Sequence, residues 1–166
     1  MNYFQDVMVE FLRAERTVFV NTECLVQLDP GDKPLKRRHW YCDAIAINFR
    51  EKTVYLCEIT YSSTLQSLLT RLAAWETNWQ LLCDSVKRDC SVPLDWKIQP
   101  WVFVPQKCKS LLEKKLPMIK SADGQKYMPT PKIEVIEEIM PWLYRTWDKK
   151  GQTGKEPQAA IDLVHD

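Results

Sequence analysis

The chain is 166 residues long, carries a formal net charge of +1 with a pI near 7.6, and is 45% hydrophobic. That length suits one domain, and the apolar fraction can build a core without disulfides or a structural metal. The near-neutral charge excludes a strong non-specific nucleic-acid binder, and no run of about 18 apolar residues is present to cross a membrane.

In chain order, a first helix is expected from Asn2, as N-cap, to about Arg16, with Phe4, Val7, Met8, Phe11 and Leu12 at i, i+3, i+4 spacing. Thr17 to Leu28 is rich in β-branched residues and ends at the turn signal Asp29-Pro30-Gly31-Asp32. Two further strands, Trp40 to Phe49 and Thr53 to Tyr61, are joined by a polar turn around Arg50-Glu51. Both are apolar on both faces, as in a covered sheet.

Ser62, Ser63 and Thr64 offer N-caps for one long helix reaching about Asp89. Its inward stripe is Leu65, Leu68, Leu69, Leu72, Trp75, Trp79, Leu82 and Val86. Trp101 to Val104 reads as a short buried strand ended by Pro105, Ser110 to Leu116 as a helix, and Lys132 to Ile139 as a strand. Pro141 opens a last short helix through Trp147. The reading gives one α/β domain over 1–147, a mixed sheet between helices, with 148–166 as a polar tail.

Six cysteines are scattered without CxxC spacing, and two histidines are too few for a His-rich zinc site. Cysteines inside apolar runs such as VYLCEI and WYCDAI are expected to be buried reduced thiols. The N-terminal MNYFQDVMVEF lacks the basic and continuous apolar regions of a secretory leader, so a cytoplasmic setting is expected.

A tight even-numbered turn centred between Arg50 and Glu51 sets the register of the two strands before the long helix. It pairs Asp43 with Glu58, their Cβ atoms roughly 5 Å apart. Two carboxylates in an apolar setting call for a shared proton or a cation, and hard cations such as Mg²⁺ prefer oxygen ligands. The other arrangement open to them is that one acid reaches solvent or pairs with a helix arginine such as Arg71.

The order helix, strand, strand with Asp43, strand with Glu58-Ile59-Thr60, helix resembles the PD-(D/E)XK nuclease superfamily. The resemblance is one of order and spacing over roughly residues 2–105. It implies a restriction-endonuclease-like α-β-β-β-α-β core and phosphodiester hydrolysis in DNA, with Mg²⁺ or Mn²⁺ held by Asp43 and Glu58. Glu10 in the first helix stands about where members place an extra supporting acid, with Glu15 as second choice. Thr60 occupies the position of the motif's lysine, and a threonine can hold a water without supplying charge.

Arg71 is the candidate replacement cation, about 110° from the centre of the apolar stripe at 100° per residue. Gln66, on the other flank near the helix N-terminus, is placed to meet a phosphate. Lys36, Arg37 and Arg38 would hold the nucleic-acid backbone, with His39 or Trp40 stacking on a base. The missing lysine and near-neutral charge equally suit a catalytically inactive nuclease-fold protein that binds DNA or a protein partner. A homodimer fits a nuclease that cuts both strands. No Walker loop, GxGxxG, GxSxG or HExxH is present to suggest another enzyme class.

Overall fold

The computed structural model describes residues 3–15 and 17–143. The expected Asn2 cap, the helix end at Arg16, part of the last helix through Trp147 and the 148–166 tail lie outside them. Helix α1 spans Tyr3–Arg13, and strands β1 (Val18–Gln27), β2 (His39–Asn48) and β3 (Thr53–Ile59) follow. Helices α2 (Gln66–Thr77) and α3 (Trp79–Cys90) then lead to β4 (Lys97–Val104). Helix α4 (Gln106–Lys115) precedes the short strand β5 (Lys132–Val135). One mixed sheet results, in the order β1-β2-β3-β4-β5. The first three strands form an antiparallel meander, and β3, β4 and β5 run parallel.

Each face of the sheet carries its own core. Val7, Met8, Val9 and Leu12 of α1 pack on Ala44, Ala46, Cys57, Trp101 and Phe103. On the other face α2, α3 and α4 bury Leu68, Leu72, Trp75, Leu82, Val86 and Leu112 against Ile45, Leu56, Val102 and Val104. Leu72, Trp75 and Leu82 are fully enclosed, and each contributes on the order of 1.5–3 kcal/mol by leaving water.

The β2–β3 turn fixes the register that matters below. Asn48 Oδ1 accepts from the amides of Arg50 and Glu51 at 3.0 and 3.1 Å, and Lys52 takes a left-handed φ of 52°. The ladder then runs from Asn48↔Thr53 to Ala44↔Cys57, and the next residues on the two strands, Asp43 and Glu58, both line the cavity described below. The register from Asn48↔Thr53 to Ala44↔Cys57 is the one expected from the even-numbered turn.

Strands β1 and β2 exchange faces halfway along. Val18, Val20, Ala44 and Ala46 lie toward α1, whereas Cys24, Val26 and Cys42 lie toward α2 and α3. The exchange falls at Glu23 and Asp43, opposite each other between the pairs Thr22↔Ala44 and Cys24↔Cys42. Glu23 takes a left-handed φ of 52°, which breaks the strict two-residue alternation of a strand.

Several boundaries differ from the sequence reading. The long helix is two helices broken at Asn78, whose Nδ2 donates to the Ala74 carbonyl at 2.9 Å. The apolar stripe runs on through the break, which is why spacing alone did not reveal it. No side chain caps α2; Leu65 holds the N-cap position in left-handed conformation, fully buried. Burying a leucine outweighs a cap of about 1 kcal/mol. Ser62 Oγ and Thr64 Oγ1 bond each other at 3.1 Å instead. Strand β4 begins at Lys97 rather than Trp101, and α4 at Gln106 rather than Ser110. Strand β5 stops at Val135, and a single 3-10 turn follows over Ile136–Glu138. Among the described residues no helix is long and apolar enough to cross a membrane.

Candidate functional site

At the carboxyl end of β3 an open cavity of about 150 Å³ is lined by Asp43, Glu58, Ile59, Thr60, Ser67, Leu68 and Arg71. The strand pair brings the acids and α2 brings the cation. Ser67 and Arg71 are four residues apart and lie one turn above the other on a single helix face, beside the buried Leu68. The space opens to solvent and can admit a hydrated ion or a phosphate beside the acids and Arg71.

Glu58 is 4% exposed. Arg71 Nη1 donates to its Oε2 and to the Tyr41 carbonyl at 3.0 Å. The other carboxylate oxygen of Glu58, Oε1, is enclosed without a hydrogen-bond partner. Burial pushes the Glu58 carboxyl up to about 7, against the pull of the Arg71 guanidinium and with the help of the Asp43 charge. Asp43 is half-buried, and its Oδ2 accepts from the Ile59 amide at 2.8 Å. Burial raises its pKa too; the Ile59 bond and Arg71 oppose the rise, while the Glu23 charge adds to it. Burial works against the charge on Arg71, but Glu58 and Asp43 hold it and its pKa is raised. Cys42 and Cys57, beside the acids, are kept as neutral thiols by burial and by the Glu58 charge.

A buried carboxylate with a bare oxygen beside a second carboxylate fits a hard cation. Mg²⁺ is commonly held by one or two carboxylates, with waters and a substrate phosphate completing the shell. Among the described residues no group of three or more His, Cys, Asp or Glu side chains could hold an ion. A cation here would therefore rest on Asp43 and Glu58 alone.

Four of the five candidate catalytic residues thus meet at one cavity: Asp43, Glu58, Thr60 and Arg71. Glu10 does not join them. It faces solvent and pairs with Arg13 at 3.6 Å, one turn along α1. Glu15 is used in the α1–β1 turn, where it accepts from the Thr17 amide and hydroxyl at 3.1 and 3.0 Å. The α1 residue that reaches the pair is Gln5, whose Nε2 donates to the Asp43 carbonyl at 3.2 Å. Its position between Phe4 and Val7 on the stripe side was the available signal. Thr60 Oγ1 accepts from the Ser62 amide at 3.2 Å. Gln66 is exposed and does not line the cavity; its Nε2 donates to Thr70 Oγ1 at 3.4 Å. Its neighbour Ser67 takes the expected place, since residue 67 and not 66 is one turn before Arg71.

The basic segment divides. Lys36 and Arg37 are exposed, and Arg37 has a left-handed φ of 63°. Arg38 forks onto Asp29, with Nε–Oδ2 2.5 Å and Nη2–Oδ1 2.8 Å, and closes the β1–β2 loop. Its guanidinium is committed within the protein. Trp40 is partly buried against the core of the α2–α3 face, which removes it as a stacking platform. His39 Nδ1 donates to the Leu35 carbonyl at 2.8 Å, and its ring meets Tyr41 edge-on with centroids 6.0 Å apart. Tyr41, 57% exposed and tied to Arg71 through its carbonyl, is the aromatic that sequence reading missed. It follows Trp40, and the face exchange in β2 decides which of the two turns outward. No family model, curated protein or solved structure gives a match to this chain.

Proposed function

We propose that the chain is a metal-dependent nuclease of restriction-endonuclease-like architecture that hydrolyses phosphodiester bonds in DNA. The observation that carries this reading is that Asp43 and Glu58, on neighbouring strands, line one cavity, with one Glu58 oxygen buried and without a hydrogen-bond partner. The order α1-β1-β2-β3-α2 with a parallel β4, and the acids on β2 and β3, supports it.

Asp43 and Glu58 would hold Mg²⁺ or Mn²⁺, which when bound supplies an activated water and offsets charge on the scissile phosphate. The rest falls to the protein. The Ile59 amide orients the Asp43 carboxylate, and the Gln5 amide fixes the Asp43 backbone from the opposite face of the sheet. Arg71 is the positive charge in the cavity and stands in for the missing lysine against the anionic transition state. Ser67, in the first turn of α2, offers a hydroxyl where the helix dipole favours a phosphate. Lys36 and Arg37, exposed in the turn before β2, would meet the DNA backbone further out.

The second reading is a catalytically inactive nuclease-fold module that binds DNA or protein, and one observation favours it. Arg71 already pairs with Glu58, so the buried charge is partly compensated without a metal. Calorimetry with Mg²⁺ and Mn²⁺ separates the two readings. The nuclease reading expects wild type to bind and both Asp43→Asn and Glu58→Gln to lose binding. In plasmid nicking, Thr60→Lys should raise the rate and Arg71→Ala lower it by roughly 10²–10³. Absence of metal binding and of cleavage in wild type would leave the binding module.

A further inference from the structure

We infer that Arg71 is a displaceable counter-ion: it occupies the acidic pair until a divalent cation takes its place, and its guanidinium then serves a phosphodiester anion in the same cavity. The inference rests on the metal-site reading above and deepens it by coupling two ligands through one side chain.

The geometry of the ion pair is the first support. A guanidinium meeting a carboxylate as a structural clamp tends to present two parallel N–H groups, satisfying both oxygens. Arg71 engages Glu58 through Nη1 alone, shares that nitrogen with the Tyr41 carbonyl, and leaves Glu58 Oε1 bare. The contrast is Arg38, which forks fully onto Asp29 with two nitrogens. Arg71 is also better placed to move than its partner, its side chain 33% exposed against 6% for Glu58.

Charge bookkeeping is the second support. With both acids ionised, Asp43, Glu58 and Arg71 together carry one net negative charge. A divalent cation on the pair turns that into one net positive charge, and a phosphodiester, a monoanion, restores neutrality. The cavity lined by these three residues also holds Thr60 and Ser67, whose hydroxyls suit phosphate oxygens. Each ligand alone leaves an uncompensated charge among half-buried groups, so cation and anion should bind cooperatively.

Mn²⁺ binding to the full chain, followed by calorimetry with and without dimethyl phosphate as the phosphodiester probe, tests this without turnover. Wild type should bind Mn²⁺ more tightly when dimethyl phosphate is present. Arg71→Gln, which keeps a helix-forming side chain of similar reach, should bind Mn²⁺ alone about tenfold more tightly, because a competing positive charge a few ångströms away has gone. The same variant should lose the effect of dimethyl phosphate, and Arg71→Lys, which keeps the charge, should retain it. A thermal melt of each variant with Mn²⁺ confirms that the folded protein is being titrated. Equal Mn²⁺ affinity in wild type and Arg71→Gln, or a dimethyl phosphate effect that survives Arg71→Gln, overturns the inference and leaves the metal site standing. Absence of Mn²⁺ binding in wild type, Arg71→Gln and Arg71→Lys alike overturns the metal-site reading itself.

Discussion

Replacing Glu58 by glutamine should make the metal-free protein more stable at neutral and alkaline pH and leave it unchanged in acid. Burial lifts this carboxyl from its ordinary value of 4.5 to about 7 in spite of Arg71. The folded chain therefore keeps a proton that the unfolded chain releases between those two values, and stability falls as pH rises across that window. At about 1.4 kcal/mol per pH unit, the gap between 4.5 and about 7 is worth about 3 kcal/mol. Asp43 is raised for the same reason and adds to the slope with the same sign. Glutamine keeps the shape and can still accept from Arg71, so Glu58→Gln should flatten the wild-type decline. For a chain of this size the difference above the window is a rise in Tm of roughly 6–12 °C. Thermal melts with chelator across the window would read it, and millimolar Mg²⁺ should raise the Tm of wild type but not of the variant. If wild type and Glu58→Gln ran parallel throughout, Glu58 would not be the buried, proton-retaining group described above.

Two further outcomes follow from other sites. Glu76 is 1% exposed and accepts from the Tyr127 and Met128 amides at 2.6 and 3.1 Å, holding the loop before β5. Glu76→Ala should cost about 3 kcal/mol or more in urea denaturation, because two amides lose a charged acceptor; a loss under about 1 kcal/mol would mean the loop is held by other contacts. Arg37 is exposed at φ 63°, so Arg37→Gly should raise stability by about 0.5–1 kcal/mol while weakening DNA binding and its salt dependence. Unchanged retention on DNA at low salt would remove Arg37 from the proposed contact.

The parts of the site that proved readable in the sequence are those fixed by local counting. The register of β2 on β3 follows from a symmetric turn, and Arg71 falls on the cavity side because a helix rotates by a constant angle. Choices settled by tertiary competition were not readable. Leu65 gives up a favourable cap to enter the core, and Arg38 is drawn to Asp29 because the loop between β1 and β2 brings them together. Gln5 rather than Glu10 reaches Asp43 because α1 turns its Gln5 side to the sheet, while Glu10 stays with Arg13 in solvent. Glu76 bonds the amides of Tyr127 and Met128, about fifty residues later, a partnership that no local spacing announces. Strand β4 extends back to Lys97 through Pro100, a residue that argues against a central strand. Its pairing with Leu56 survives because β5 joins β4 only from Trp101↔Lys132 onward.

The two outer strands of this sheet differ in their hazard toward self-association. Strand β5 is only four residues long and offers little template to another chain. Strand β1 is ten residues long, with Phe19 and Leu25 turned to solvent on its outer stretch, the profile of a strand open to intermolecular pairing. Glu23 sits between those two residues, charged and in a backbone conformation that no flat incoming strand can match. The face exchange thus also leaves the long edge of the sheet interrupted and charged at its middle, so that foreign strands find no continuous ladder to extend.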